Sequence, residues 1–293
     1  MATMHDDDVE ELVGRDGIVA TVLNHVSDGK SAFLVGAAGI GKTAILRAMA
    51  GHAQTHGGAR ELIYCGQTTT LKIALQCLAG QLLAQDAVCA VPDLQKQRPI
   101  PPDEQVAIPR NLGMLTIGKL RRVVMSRLSG HHAVLFDHVQ PVRPACAALL
   151  EYLVENRGIP IIAAVRPSYP HDIGKLWYVG TTFATIKVPE LRPSESRRLV
   201  ERTLDRQRIS LPDRDAFDKT LVSLAKGNPR MIVRVCELAR SPRYQTGGRT
   251  NFRLLLLDLK IDDLQDHIEE EAKIPLRGPV ATDAIRYPQR RTL

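Results

Sequence analysis

Gly36-Ala37-Ala38-Gly39-Ile40-Gly41-Lys42-Thr43 fits the pattern G-x-x-x-x-G-K-[ST] at every fixed position. A run of this type holds polyphosphate. Its glycines let the backbone curl until successive N–H groups face phosphate oxygens, its lysine reaches the β- and γ-phosphates, and its hydroxyl ligates Mg²⁺. On that chemistry Lys42 meets the phosphates of a nucleoside triphosphate and Thr43 the metal. A second candidate stands 95 residues after Lys42, where Ala133-Val134-Leu135-Phe136 closes on Asp137. A carboxylate at the end of a buried parallel strand orients Mg²⁺ and its waters. His138 follows, and a neutral imidazole can accept a proton from an attacking water.

Local sequence supplies elements to hold these groups. Ser31 to Val35 is an apolar run of strand type, and Ala44 to Ala50 continues as good helix-formers, so the glycine loop joins a strand to a helix N-terminus. The positive end of that helix faces the same anion. Further strands are predicted at Glu61 to Cys65, Ala133 to Asp137, Ile159 to Val165 and Thr181 to Val188. Thr68 to Thr70 can cap a helix striped by Leu71, Leu75, Leu78 and Leu82, and another helix runs from Ile117 to Leu128. Lys119, Arg121, Arg122 and Arg127 on the latter read as a solvated face rather than a DNA contact. Pro144 to Asn156 is a further helix, and residues 87 to 115, broken by five prolines, form a long loop.

Composition narrows the class. With 293 residues, 44% hydrophobic and 24% charged, the chain can bury a sizeable core. It has no apolar run of membrane-spanning length, and the acidic start at Asp6-Asp7-Asp8 is unlike a signal peptide, which points to a cytoplasmic protein without a membrane partner. Five scattered cysteines read as reduced core residues. A net charge of +7 favours an anionic partner, while only 4% aromatic residues argue against base-stacking platforms, so contact with DNA would run chiefly through phosphates. No internal repeat and no N-K-x-D motif of guanine-specific GTPases is present, which favours adenylate.

Taken together these motifs resemble the P-loop ATPases of the AAA+ and STAND groups over about residues 12 to 240. Leu12-Val13-Gly14-Arg15-Asp16 is similar to the box that precedes the phosphate loop in those families and lies over the adenine, which would make Val13 and Arg15 nucleotide contacts. Ala164-Val165-Arg166 imperfectly resembles the STAND signature in which an arginine senses the γ-phosphate; Arg166 is that sensor or a surface arginine. Pro189 to Pro193 resembles the hinge to a helical lid, with helices at Ser194 to Gln207, Arg214 to Lys226 and Pro229 to Arg240. Gly227-Asn228-Pro229-Arg230 supplies a break, an N-cap and proline at N1. It is similar to the sensor 2 motif of origin-initiator AAA+ proteins, with a capping turn and a solvated Arg230 as the alternative. Where most AAA+ ATPases carry a glutamate, this chain has His138, which makes ATP binding a firmer expectation than fast turnover.

The resemblance implies an α/β fold: a P-loop NTPase (AAA+-like) parallel five-stranded sheet flanked by helices, followed by a small helical lid. The expected division is a loose N-terminus at 1–11, an ATPase core at 12–190, a lid at 191–240, and a C-terminal helix with a basic tail at 241–293. The cofactors implied are ATP and Mg²⁺, bound by Gly36 to Thr43 and Asp137. The function implied is a nucleotide-dependent switch in a DNA transaction, assembled as a homo-oligomer and hydrolysing slowly. The alternative is a STAND-type signalling or scaffold ATPase that binds a protein partner.

Overall fold

The computed structural model describes residues 12–56, 60–68, 70–85, 112–140, 142–166 and 182–272. The expected loose start at 1–11, most of the long loop (87–111), the first residue of the strand expected from Thr181 and the tail at 273–293 lie outside the described residues.

Apolar runs become most strands of one sheet, β1 Ala32–Val35, β2 Glu61–Cys65, β3 His132–Phe136 and β4 Ile161–Val165, and the edge is β5 Ala184–Lys187, which exposes Thr185 and Lys187. All pairings are parallel and the order is β2-β3-β4-β1-β5. Every residue of β4 is buried. This order sets the carboxyl ends of β3, β4 and β1 side by side, so Asp137, Arg166 and Gly36 leave the sheet at neighbouring points.

Helices close both faces. On one side lie α1 Asp16–Ser27 and α2 Lys42–His56, which bury Val22, Val26, Ile45, Leu46 and Met49 against Leu34 and Leu135. On the other lie α3 Leu71–Gln85, α4 Ile117–Arg127 and α5 Pro144–Glu151, whose Leu75, Leu78, Leu120 and Leu149 cover Ile63, Phe136 and Ala163. Each fully buried leucine or isoleucine contributes about 1.5–3 kcal/mol. Leu112, at the end of the long loop, is buried in the second of these cores. The helix expected to run unbroken from Pro144 to Asn156 instead widens into a π-helical turn at Tyr152–Asn156. That turn carries Leu153 into the core and sets the Tyr152 ring 5.3 Å beneath the Arg121 guanidinium.

A separate core follows the sheet. Helices α6 Pro193–Arg206, α7 Arg214–Ala225 and α8 Pro229–Ala239 bury Val200, Leu204, Phe217, Leu221, Ile232, Val235 and Cys236 among themselves. A short hairpin, β6 Gln245–Thr246 and β7 Arg249–Thr250, turns through Gly247 and Gly248, both at positive φ. The helix and tail expected over 241–293 leave this hairpin out, although its two-residue Gly-Gly turn is the sequence signal that marks one. Last comes α9 Phe252–Ala272, which lays Leu255 and Leu259 onto the same core and turns Leu257, Ile261 and Leu264 outward, 54%, 44% and 62% exposed.

The junction between sheet and lid is tight. Gly227 has φ +73°, its carbonyl accepts the Leu191 N–H at 2.9 Å, and a Cβ there would lie 2.7 Å from Leu191 N and against the Leu191 carbonyl. Neither backbone can yield cheaply. Gly227→Ala is therefore expected to lower stability by about 2–4 kcal/mol, read as a reduced urea midpoint; an unchanged midpoint would contradict this packing.

Candidate functional site

Between the carboxyl edge of the sheet and the lid lies a cleft of about 1010 Å³. Val13, Arg15, Ala38 to Thr43, Asp137, His138, Arg166 and Arg230 all line it. Gly36 and Ala37 do not; their carbonyls instead accept the Lys42 ammonium, at 2.6 and 2.9 Å. Lys42 is thus folded across its own loop, and a phosphate entering the cradle would compete for it. Burial pulls the Lys42 ammonium below the usual lysine range; Arg166 adds to this by repulsion and Asp137 opposes it.

The loop owes its curl to Gly39 at φ +75° and Gly41 at φ +98°, conformations that side-chain-bearing residues rarely adopt. Gly39 is also pressed against the lid, since a Cβ there would sit 2.8 Å from both Arg230 Cβ and Asn228 Oδ1. Arg230 N–H donates to the Gly39 carbonyl at 3.1 Å, and Asn228 Nδ2 to the Ala38 carbonyl at 3.1 Å. Arg15, only 4% exposed, bridges from the other side, donating to Ile40 O at 3.1 Å and Pro189 O at 2.7 Å. Loop, hinge and lid are thereby pinned at one point.

Asp137 is 2% exposed, and both its carboxylate oxygens have partners. Oδ1 accepts His138 N–H at 2.9 Å and Oδ2 accepts the Tyr64 hydroxyl at 3.1 Å. Tyr64 stands at the fourth position of β2, beside Leu135 of β3, and its hydroxyl also hydrogen-bonds Arg47. Burial is the main cause that raises the Tyr64 phenol above its ordinary range, with the Asp137 charge adding to it. His138 adopts φ +50° and keeps an exposed imidazole in the cleft, Nε2 3.5 Å from Asp137 Oδ2. The Thr68 hydroxyl lies between the carbonyls of Asp137 and His138, at 3.0 and 2.8 Å, and so steadies this unusual backbone. Arg166 follows β4 between the two motifs, its N–H bonded to Gln140 Oε1 at 2.5 Å.

Several lining residues escape motif reading. Arg47, Arg202, Arg206 and Arg234 bring the lining, among the described residues, to eight cationic side chains against the carboxylates of Asp137 and Glu237. Helical spacing was their signal: Arg47 lies four residues after Thr43, Arg206 four after Arg202, and Arg234 four after Arg230. Nothing in the sequence marks Tyr64, whose partner lies 73 positions away. A cleft of this charge suits a polyanion.

A family model described as "AAA ATPase domain" matches residues 11–163. No curated protein matches the chain. Among solved structures, the chain is similar to the Orc1 protein of Aeropyrum pernix in complex with DNA, at 17% identity and a TM-score of 0.60, covering 90% of this chain and 69% of that one. Domain III of the Thermotoga maritima replication initiation protein DnaA gives 15% identity and a TM-score of 0.53 over 88% of this chain and 98% of that one. The replication initiator DnaA bound to AMPPCP and single-stranded DNA gives 17% and 0.50 over 89% and 71%. At these identities the likeness speaks for the fold alone.

Tyr64→Phe removes one donor from a buried carboxylate and leaves the ring in place. The expected cost is about 1–3 kcal/mol of stability, because a buried carboxylate oxygen loses its donor. A lowered urea midpoint checks it, and a midpoint equal to the parent's would contradict the bond.

Proposed function

The chain belongs to the AAA ATPase family, and from that premise we propose that it binds ATP with Mg²⁺ in this cleft and works as a slowly hydrolysing conformational switch in a DNA transaction. One observation carries the reading: Lys42, Thr43, Asp137, Arg166 and Arg230, supplied by α2, β3, β4 and the lid, line one cleft. In this reading the loop N–H groups and Lys42 hold the phosphates, and Arg166 and Arg230 answer the γ-phosphate from opposite sides. The donor set fits a metal held largely by its substrate. Among the described residues no group of three His, Cys, Asp or Glu gathers, so Mg²⁺ would take Thr43 and Asp137 together with phosphate and water oxygens. Mg²⁺ bound there would neutralise charge between the β- and γ-phosphates.

His138 stands where most AAA+ ATPases carry a glutamate, and that replacement supports slow turnover. Its imidazole is close enough to Asp137 for that carboxylate to stabilise an imidazolium once a proton arrives from water. For the DNA role, the support is the net charge of +7 and the likeness to proteins solved with DNA. Assembly into a homo-oligomer belongs to the same proposal. Among the described residues no helix is long and apolar enough to cross a membrane. A second reading, a signalling or scaffold ATPase with a protein partner, is favoured by the outward row Leu257, Ile261 and Leu264 on α9.

Lys42→Ala is expected to cut ATP hydrolysis by about a hundredfold or more, and a variant that hydrolyses like the parent would show the site to be misassigned. Asp137→Ala should abolish the Mg²⁺ dependence of whatever hydrolysis persists. His138→Glu should raise the rate; a fall would mean that the histidine is no brake. DNA binding followed across a salt series, with ATP, with ADP and without nucleotide, separates the two readings. A steep salt dependence seen only with ATP supports the DNA switch, and no binding at low salt removes it in favour of a protein partner.

A further inference from the structure

Asn228 is placed to do more than cap a helix. Its Oδ1 accepts Met231 N–H at 3.3 Å, the ordinary N-cap bond of α8, while its Nδ2 donates to the Ala38 carbonyl at 3.1 Å. An N–H on one side and a carbonyl on the other fix which atom of the amide is which. Both halves of the side chain are therefore committed, one to the lid and one to the phosphate loop. Two residues on, Arg230 N–H holds the Gly39 carbonyl at 3.1 Å, and Pro229 Cγ lies 4.0 Å from the Cβ position of Gly41. The first turn of α8 thus meets three of the eight loop residues.

Peptide geometry converts these contacts into a statement about the anion site. A trans peptide sends its N–H opposite to its C=O. With the carbonyls of Ala38 and Gly39 drawn toward the lid, the Gly39 N–H turns away from the lid, and the Ile40 N–H makes a long bond back to the Ala37 carbonyl at 3.4 Å that a bound phosphate would replace. If α8 lifted away, those two carbonyls would lose their partners and the peptides would be free to rotate. We propose that Asn228 is a positioning residue for phosphate binding: its side-chain amide ties the lid to the loop, so that the inward amides stay aimed only while the lid is seated. This rests on the reading of the cleft as a nucleotide site, and extends it by making lid position a control on nucleotide affinity that acts through the loop backbone, independently of the Arg230 side chain.

The test uses the full chain and two variants that keep a capping oxygen but lose the donor. Asn228→Ser is neutral and too short to span to Ala38, and Asn228→Asp adds a negative charge, so an effect common to both belongs to the lost bridge. Mg·ADP affinity is measured by calorimetry, and amide hydrogen exchange is followed without nucleotide. The expected result is about tenfold weaker ADP binding in both variants, with faster exchange at Ile40 and Arg230, whose N–H groups the loop carbonyls hold, and unchanged protection further along α8. Parent-like ADP binding in both would overturn the inference and leave the nucleotide site intact. Exchange that rises along α8 as much as in the loop would also overturn it, by reducing Asn228 to a cap. Failure of the parent itself to bind ADP would overturn the underlying site reading instead.

Discussion

An amide can face an anion only if the carbonyl across the same peptide bond finds a partner on the far side. That constraint organises the molecule around its phosphate loop. Here the far side is the lid: Ala38 and Gly39 send their carbonyls to the first turn of α8, and Ile40 sends its own to Arg15. Because Arg230 Cβ and the Asn228 amide press directly on position 39, it must be glycine, and because the chain must fold back on Leu191 to bring α8 there, position 227 must be glycine too. Gly14, at φ +68°, brings the segment before α1 equally close to Glu195 of α6, with 2.5 Å from its Cβ position to Glu195 Cδ. Three glycines far apart in sequence thus serve one junction.

Electrostatics builds on that frame. The site gathers cations beyond what the loop lysine supplies, and the same crowding and burial depress the proton affinity of Lys42. Asp137 is the counterweight, aimed by Tyr64 and by the backbone of His138. A buried carboxylate with two donors is rigid, and rigidity is what a metal-orienting group needs. His138, in contrast, is exposed, with its backbone at φ +50° and its imidazole 3.5 Å from Asp137, which fits the proton-accepting role proposed for it.

Much of this was legible in the chain, for identifiable reasons. The phosphate loop, the apolar strand ending in Asp137 and the capped turn at Gly227 to Arg230 are local patterns whose chemistry is contained within a few residues, and Ala38 to Thr43, Asp137, Pro229 and Arg230 from them line the cleft. Strand and helix positions followed from periodicity, with small differences at the ends and two real departures: the short hairpin at Gln245 to Thr250, and the π turn at Tyr152 to Asn156, which tertiary packing imposes. What could not be read is long-range. The pairing of Tyr64 with Asp137 depends on the register of β2 against β3, and the bond from Asn228 to Ala38 spans 190 positions. Neither leaves a trace in local composition. Arg47, Arg202, Arg206 and Arg234 fall between these cases: their helical spacing was visible, but which face they line follows only from the packing of α2, α6 and α8.

A structure of the protein with a non-hydrolysable ATP analogue and Mg²⁺ tests the central claim most directly. The account predicts the β-phosphate inside the curl of Gly39 to Thr43, the metal between Thr43 and Asp137, the γ-phosphate within reach of Arg230, and the bonds from α8 to Ala38 and Gly39 intact. A nucleotide bound elsewhere, or a filled phosphate loop with α8 lifted from it, would contradict it.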